Sequence, residues 1–113
     1  MCSTVLGDCD IHRMTNRSRT HPSRAEQMLE DEANESELAA HRISPTEVRQ
    51  VWMNRPKWAP NRKHRAGDWK MMGTTNGGRR LTIIVRFLPD DRALRPITGW
   101  DATPAERTRY FEG

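Results

Sequence analysis

Three groups of residues in this chain are of types that could do chemistry. The first is histidine: an unperturbed imidazole titrates at about pH 6.5, so His41 and His64 are the candidates for moving a proton near neutrality. His41 stands just ahead of a helix start, where it could equally do no more than hydrogen-bond the backbone; His64, within Arg62-Lys63-His64-Arg65, could equally be a phosphate contact. The second is arginine, whose planar fork of donors meets phosphate oxygens two at a time. Arg79 opens a strand at a hairpin and Arg95 lies on the strand after it, so either can offer its fork to an anion or bridge to acids such as Asp90 and Asp91. The third is a run of cations, Lys57, Arg62, Lys63, Arg65 and Lys70, interleaved with Trp58 and Trp69. Cations that track a backbone beside aromatics that stack on bases are the pattern of a single-stranded RNA surface. Cys9 and His12 have the spacing of half a zinc site, but a fourth ligand would have to come from far away, and no metal or cofactor is expected.

These groups need a scaffold, and the chain can build only a small one. At 113 residues, 35% of them hydrophobic, it allows one domain with a lean core. No apolar run approaches the roughly 18 residues needed to cross a bilayer, and the first residues lack the form of a secretion signal, so a cytoplasmic protein without a membrane partner is expected. Cys2 and Cys9 are the only cysteines and cannot staple the rest of the fold. Charge is unevenly spread. Glu26, Glu30, Asp31, Glu32, Glu35 and Glu37 crowd one segment, while from Arg42 onward fifteen Lys and Arg face seven Asp and Glu, an excess of eight positive charges. A compact basic domain favours polyanions through phosphate neutralisation and counterion release, although surplus arginine can also be a merely solvated surface.

Residues 1 to 22 lack apolar periodicity and read as a disordered arm ahead of a domain over 23 to 113. Ser23 and Glu26 have capping-box spacing, which predicts a helix from there to about His41. Ser44-Pro45-Thr46-Glu47 starts a second helix, with Ile43 and Val48 as a hydrophobic staple, Val48, Val51 and Trp52 on its core face, and a stop before Pro56. Residues 55 to 68 read as a long loop or an irregular strand. A hairpin follows, Trp69 to Thr75 and Arg79 to Leu88 about Asn76-Gly77-Gly78; Leu81, Ile83, Val85 and Phe87 alternate with Arg80, Thr82, Ile84 and Arg86, which predicts one buried and one open face. Ala93 to Thr98 makes a short third strand with Pro96 at an edge or end, and Thr103-Pro104-Ala105-Glu106 caps a last helix. Trp52 and Trp69 are expected to be buried. The class is α+β: a small single domain with an antiparallel three-stranded meander packed with helices.

In this order and spacing the chain from about Met28 to Glu112 resembles the BrnT-type ribonuclease toxins of bacterial toxin-antitoxin pairs. His41-Arg42-Ile43-Ser44 resembles that family's K-H-G-[IV]-[ST] element, and Gly73-Thr74-Thr75-Asn76-Gly77-Gly78-Arg79 its G-x-T-x-x-G-R hairpin. Arg95-Pro96-Ile97-Thr98 resembles its R-[IV]-I-S strand, and Ala102-Thr103-Pro104-Ala105-Glu106-Arg107 with Tyr110 its closing A-T-x-x-E-R-x-x-Y helix. The resemblance implies a RelE-like fold, RNA cleaved without a metal, and neutralisation by a cognate antitoxin that also binds operator DNA. In that reading Arg79 and Arg95 stabilise the crowded phosphate, His41 transfers a proton, and Lys57, Arg62, Lys63, His64, Arg65 and Lys70 hold the RNA.

The chain also departs from the family pattern. Ala40 stands in place of the lysine of K-H-G, Arg42 in place of its glycine, and Trp100 in place of the arginine of S-A-R-x-A. Gln27-Met28-Leu29-Glu30 aligns with the F-x-W-D strand without its residues, and Ala33 with the lysine that follows, so that first strand is expected to be absent. These losses make a non-cleaving protein that binds RNA or an antitoxin the alternative to a ribonuclease. A DNA-binding regulator ranks last, because no helix-turn-helix pairing is visible.

Overall fold

The computed structural model describes residues 21–61 and 68–111. The first twenty residues of the expected arm, with Cys9 and His12, lie outside it, as do Arg62, Lys63, His64 and Arg65. In chain order the elements are β1 (Gln27–Met28), α1 (Glu32–Ala40), α2 (Pro45–Met53), β2 (Lys57–Pro60), β3 (Trp69–Thr74), β4 (Arg80–Leu88), β5 (Ala93–Asp101) and α3 (Pro104–Glu106), which runs on as a π-helical turn through Arg107–Phe111. This is a small α+β domain. Its sheet has five strands in the order β1-β5-β4-β3-β2, with β1 parallel to β5 and every other pair antiparallel. Among the described residues no helix is long and apolar enough to cross a membrane.

The two strands beyond the expected three are both at edges. β2 lies in the segment read as a loop or irregular strand, with Trp58 opposite Met71 and its two prolines outside the ladder interior: Pro56 precedes it and Pro60 ends it. β1 forms although the side chains of the family's first strand are missing, because pairing is a property of the backbone. The Glu26 N–H donates to the Arg92 carbonyl at 2.7 Å and the Leu29 N–H to the Leu94 carbonyl at 2.8 Å.

That strand displaces the first helix. Ser23 and Glu26 do not form a capping box; Pro22–Arg24 is a 3₁₀ turn that the His21 side chain caps, and α1 starts at Glu32 behind the Asp31 carboxylate, which accepts from the Asn34 N–H at 2.9 Å. The apolar stripe is as weak as its sequence, and Leu38 is its one buried residue. α2 begins and caps as expected: Ser44 and Glu47 form a complete capping box, and Ile43 and Val48 are buried beside each other across it.

The core lies between the two helices and one face of the sheet. Leu38, Ile43, Val48 and Val51 close on Met71, Leu81, Ile83, Val85, Phe87 and Leu94. Gly73 and Gly99 permit this approach, since a Cβ on Gly73 would meet Val51 at 3.1 Å and one on Gly99 would meet the Thr82 carbonyl at 2.9 Å. Two nine-residue helices, each about 14 Å long, cannot roof five strands. Trp52, Trp58 and Trp69 therefore remain half-buried at the core's margin, and the full burial expected of Trp52 and Trp69 is not realised. The His21 ring lies 5.0 Å from Trp69 and 6.4 Å from Trp58.

The second face of the sheet departs most from the alternating pattern. Met72, Thr82 and Ile84 are as buried as the core side, while Arg80 and Arg86 are exposed. α3 is folded back against this face, with Glu106 bonded to Thr82 and Tyr110 lining a cleft with Met72. β5 also runs three residues past its expected end, and Ile97 bulges between the pairs Val85–Pro96 and Ile84–Thr98. Pro96 is thus past the last residue paired with β1 and beside a bulge, where a missing N–H is tolerated.

Between α1 and α2 the chain makes a Schellman turn. The Ile43 N–H donates to the Leu38 carbonyl and the Arg42 N–H to the Ala39 carbonyl, with Arg42 left-handed at φ 60°. Glycine occupies this position in the BrnT motif, and it is the residue that such a φ favours. Arg42→Gly should therefore stabilise the fold by about 1 kcal/mol, read as a raised thermal midpoint. An unchanged or lowered midpoint would count against strain at this turn.

Candidate nucleic-acid interface

Arg79 begins where the hairpin turn ends, its N–H held by the Thr75 hydroxyl at 3.0 Å. From there its side chain reaches toward the helices. Nε donates to Asp101 Oδ1 at 2.8 Å and Nη2 to Asp101 Oδ2 at 3.3 Å. Nη1 donates to both Glu47 oxygens and to the Arg42 carbonyl, and Nη2 to the His41 carbonyl. A guanidinium has five N–H donors, and these contacts occupy its whole fork. The hydrogen bonds that Arg79 donates to Asp101, against the opposing cost of burial and with help from Glu47, raise the Arg79 pKa further; the same bonds hold the Asp101 carboxyl below its ordinary value. Asp101 and Glu47, rather than Asp90 and Asp91, are the acids that Arg79 bridges.

His41 is joined to Arg79 through its backbone carbonyl, while its exposed imidazole points to Glu37, Nε2 to Oε2 3.5 Å. Arg95 is elsewhere. It pairs across the ladder with Arg86, seven residues along β4 from Arg79, which at about 3.3 Å per residue puts it roughly 23 Å away along the strand. Arg79 and Arg95 therefore do not converge on one phosphate. Among the described residues no group of three or more His, Cys, Asp or Glu is placed to hold a metal ion.

What the structure brings together instead is a surface. Strand alternation and register put Lys57, Lys70, Arg80, Arg86 and Arg95 on the sheet face turned away from α1 and α2, around Met72, Thr82 and Ile84. Lys57, Lys70, Arg80 and Arg95 form no ion pair among the described residues, and the Nε of Arg95 is buried without a hydrogen-bond partner. On the helix side and at the β1 edge, by contrast, Arg49 is bridged to Glu30 at 2.9 Å and Arg92 to Glu26 at 3.0 Å. Lys57 and Lys70 were legible from sequence as part of this surface; Arg80 and Arg86 were not, because only the register shows that they share its face. Arg107 and Arg109 are exposed on the turn that follows α3. A cleft of about 540 Å³ beside the 3₁₀ turn at Pro22 has balanced charges in Arg24, Glu26, Asp90 and Arg92.

Trp100 has a defined role. Its Nε1 donates to Glu106 at 3.1 Å, and the same carboxylate accepts from the Thr82 hydroxyl at 3.0 Å and the Thr103 N–H at 2.9 Å. Burial alone would push the Glu106 carboxyl up, but these hydrogen bonds outweigh it and hold it below the usual range.

Removing Arg79 should unfasten the α1–α2 junction: Arg79→Ala is expected to cost about 2 kcal/mol in unfolding free energy, and Arg79→Lys most of that, since an ammonium cannot span the same acceptors. Unfolding midpoints equal to wild type would show the network to be idle. Because the Glu106 and Asp101 pKa values are depressed in the fold, their stabilisation is complete above about pH 5 and is lost as pH falls through the ordinary carboxylate range toward the folded values. Asp101 is largely exposed and contributes little, so Glu106→Gln should flatten the acid limb of a plot of melting temperature against pH. An acid limb parallel to that of wild type would show that Glu106 is not its source. Comparison of the chain with protein-family models and with curated proteins finds no match to either.

Proposed function

We propose that this protein binds single-stranded RNA on its basic sheet face without cutting it. The observation that supports the reading is the sorting of charge: Lys57, Lys70, Arg80 and Arg95, which have no carboxylate partner among the described residues, collect on one side of the sheet, while the acids of α1 and the bridged Arg49 and Arg92 lie on the other side or at its edge. Phosphate neutralisation by such a face yields affinity with little sequence preference. Arg79 speaks against cleavage, because a donor already held by two carboxylates and two carbonyls has none left for a transition state.

A second reading rests on the resemblance of four segments, in order, to motifs of the BrnT-type toxins. In it the RNA is also cleaved, and a cognate antitoxin, acidic where it meets the basic face, silences the protein. The fold would then be RelE-like and the cell's cytoplasm the site of action.

Fluorescence anisotropy with a labelled single-stranded RNA across a salt series tests the proposal. The logarithm of affinity should fall linearly with that of salt, and Lys70→Glu with Arg95→Glu should weaken binding and reduce the slope by about 0.7 for each phosphate that is no longer neutralised. The charge-matched control, Arg49→Glu with Arg92→Glu on the other side and edge, should leave the slope unchanged. Absence of salt-dependent binding would end the reading. Cleavage by wild type that persists in EDTA and disappears in a folded Arg79→Ala variant would instead favour the toxin.

A further inference from the structure

Where α3 folds back, the basic face has an open cleft of about 210 Å³. It is lined by Tyr110 and Phe111, both partly exposed, by the exposed Arg55 and Lys57, and by the buried Met72 and Gly73. Typical small-molecule pockets run from about 300 to 1,000 Å³, so this cleft suits one flat ring rather than a larger ligand. Its surroundings are held in place: the Asn54 side chain donates to the Thr74 carbonyl at 2.8 Å and to Asn76 Oδ1 at 2.9 Å, joining the end of α2 to the end of β3. The Arg109 guanidinium lies 5.6 Å from the centre of the Tyr110 ring, adding positive charge beside it.

Two partly exposed aromatic rings and two cations without carboxylate partners among the described residues, gathered in one cleft, are complementary to a stacked base with its phosphate outside. We propose that this cleft takes one unpaired nucleotide of the bound strand, the base against Tyr110 and the 5'-phosphate between Arg55 and Lys57. A base within a duplex is stacked on its neighbours and cannot enter. The cleft thereby selects single strands, which the sheet's charge alone does not do. This inference rests on the RNA-binding reading and adds to it the choice of strand.

The probes are adenosine 5'-monophosphate and ribose 5-phosphate, titrated into the full chain and followed by NMR. The nucleotide should shift the amides of Met72, Gly73 and Thr74 and the Tyr110 ring, and the sugar phosphate should not. Tyr110→Leu should abolish these shifts and weaken single-stranded RNA binding about ten-fold, the scale of a single base stack; Tyr110→Phe should keep both. Equal shifts from the two probes, shifts confined to other residues, or none at all would overturn the cleft as a base site. If that happens while RNA still binds wild type with the expected salt slope, the basic face stands without it; if RNA does not bind, both readings fall.

Discussion

The fold depends on a single guanidinium. Arg79 is the point at which the start of β4, the end of β5, the Schellman turn after α1 and the capping box of α2 are fastened together, and each of those would otherwise be a weak feature. α1 buries one residue, so packing alone does not hold it in place. Its last turn is kept on the sheet because the two carbonyls that leave the helix accept from Arg79. Glu47 serves both its own helix cap and this network, so local and long-range bonds share one carboxylate. Arginine suits the role because its donors diverge in a plane, which lets one group answer four acceptors on separate segments.

A second carboxylate does the same for the other face of the sheet. Glu106 caps α3 and also binds Thr82 on β4 and Trp100 on β5, so a three-residue helix is pinned across two strands. The cost of burying its charge is offset by these donors. With α1 and α2 on one side and α3 on the other, the middle of β4 is closed on both faces, and Lys57, Lys70, Arg80 and Arg95 stand around the part that α3 covers.

Charge follows the same division. Among the described residues Glu30, Asp31, Glu32, Glu35 and Glu37 lie on or just before α1, and Glu30 and Glu26 neutralise Arg49 and Arg92; the second face holds Lys57, Lys70, Arg80 and Arg95 with no carboxylate partner among the described residues. Against them stand Asp68, beside the start of β3, and Glu106, whose oxygens are already engaged. The surplus positive charge of the sequence thus becomes a surface with a direction, which is what a polyanion senses at distances within a Debye length.

Local chemistry was fully legible in the sequence where the cause is local. The Ser44 and Thr103 capping boxes, the turn at Asn76-Gly77-Gly78 and the core alternation of Leu81, Ile83, Val85 and Phe87 depend on residues within a few positions of one another, and each took the form its spacing implies. The Ser23–Glu26 spacing did not, because strand pairing with Ala93 and Leu94, distant in sequence, competes for those residues. Arg79 was recognisable as important, and a bridge to acids was one of its two readings, but not which acids: Asp101 and Glu47 lie 22 and 32 positions away, and only the sheet register and the helix junction bring them to it. Trp100 looked like a lost charge and is instead a donor to Glu106. Caps, hairpin and the excess of cations thus follow from the order of residues alone. Which cations are neutralised and which share an open face was settled by the folding of distant segments onto one another, since that depends on distances that no local pattern encodes.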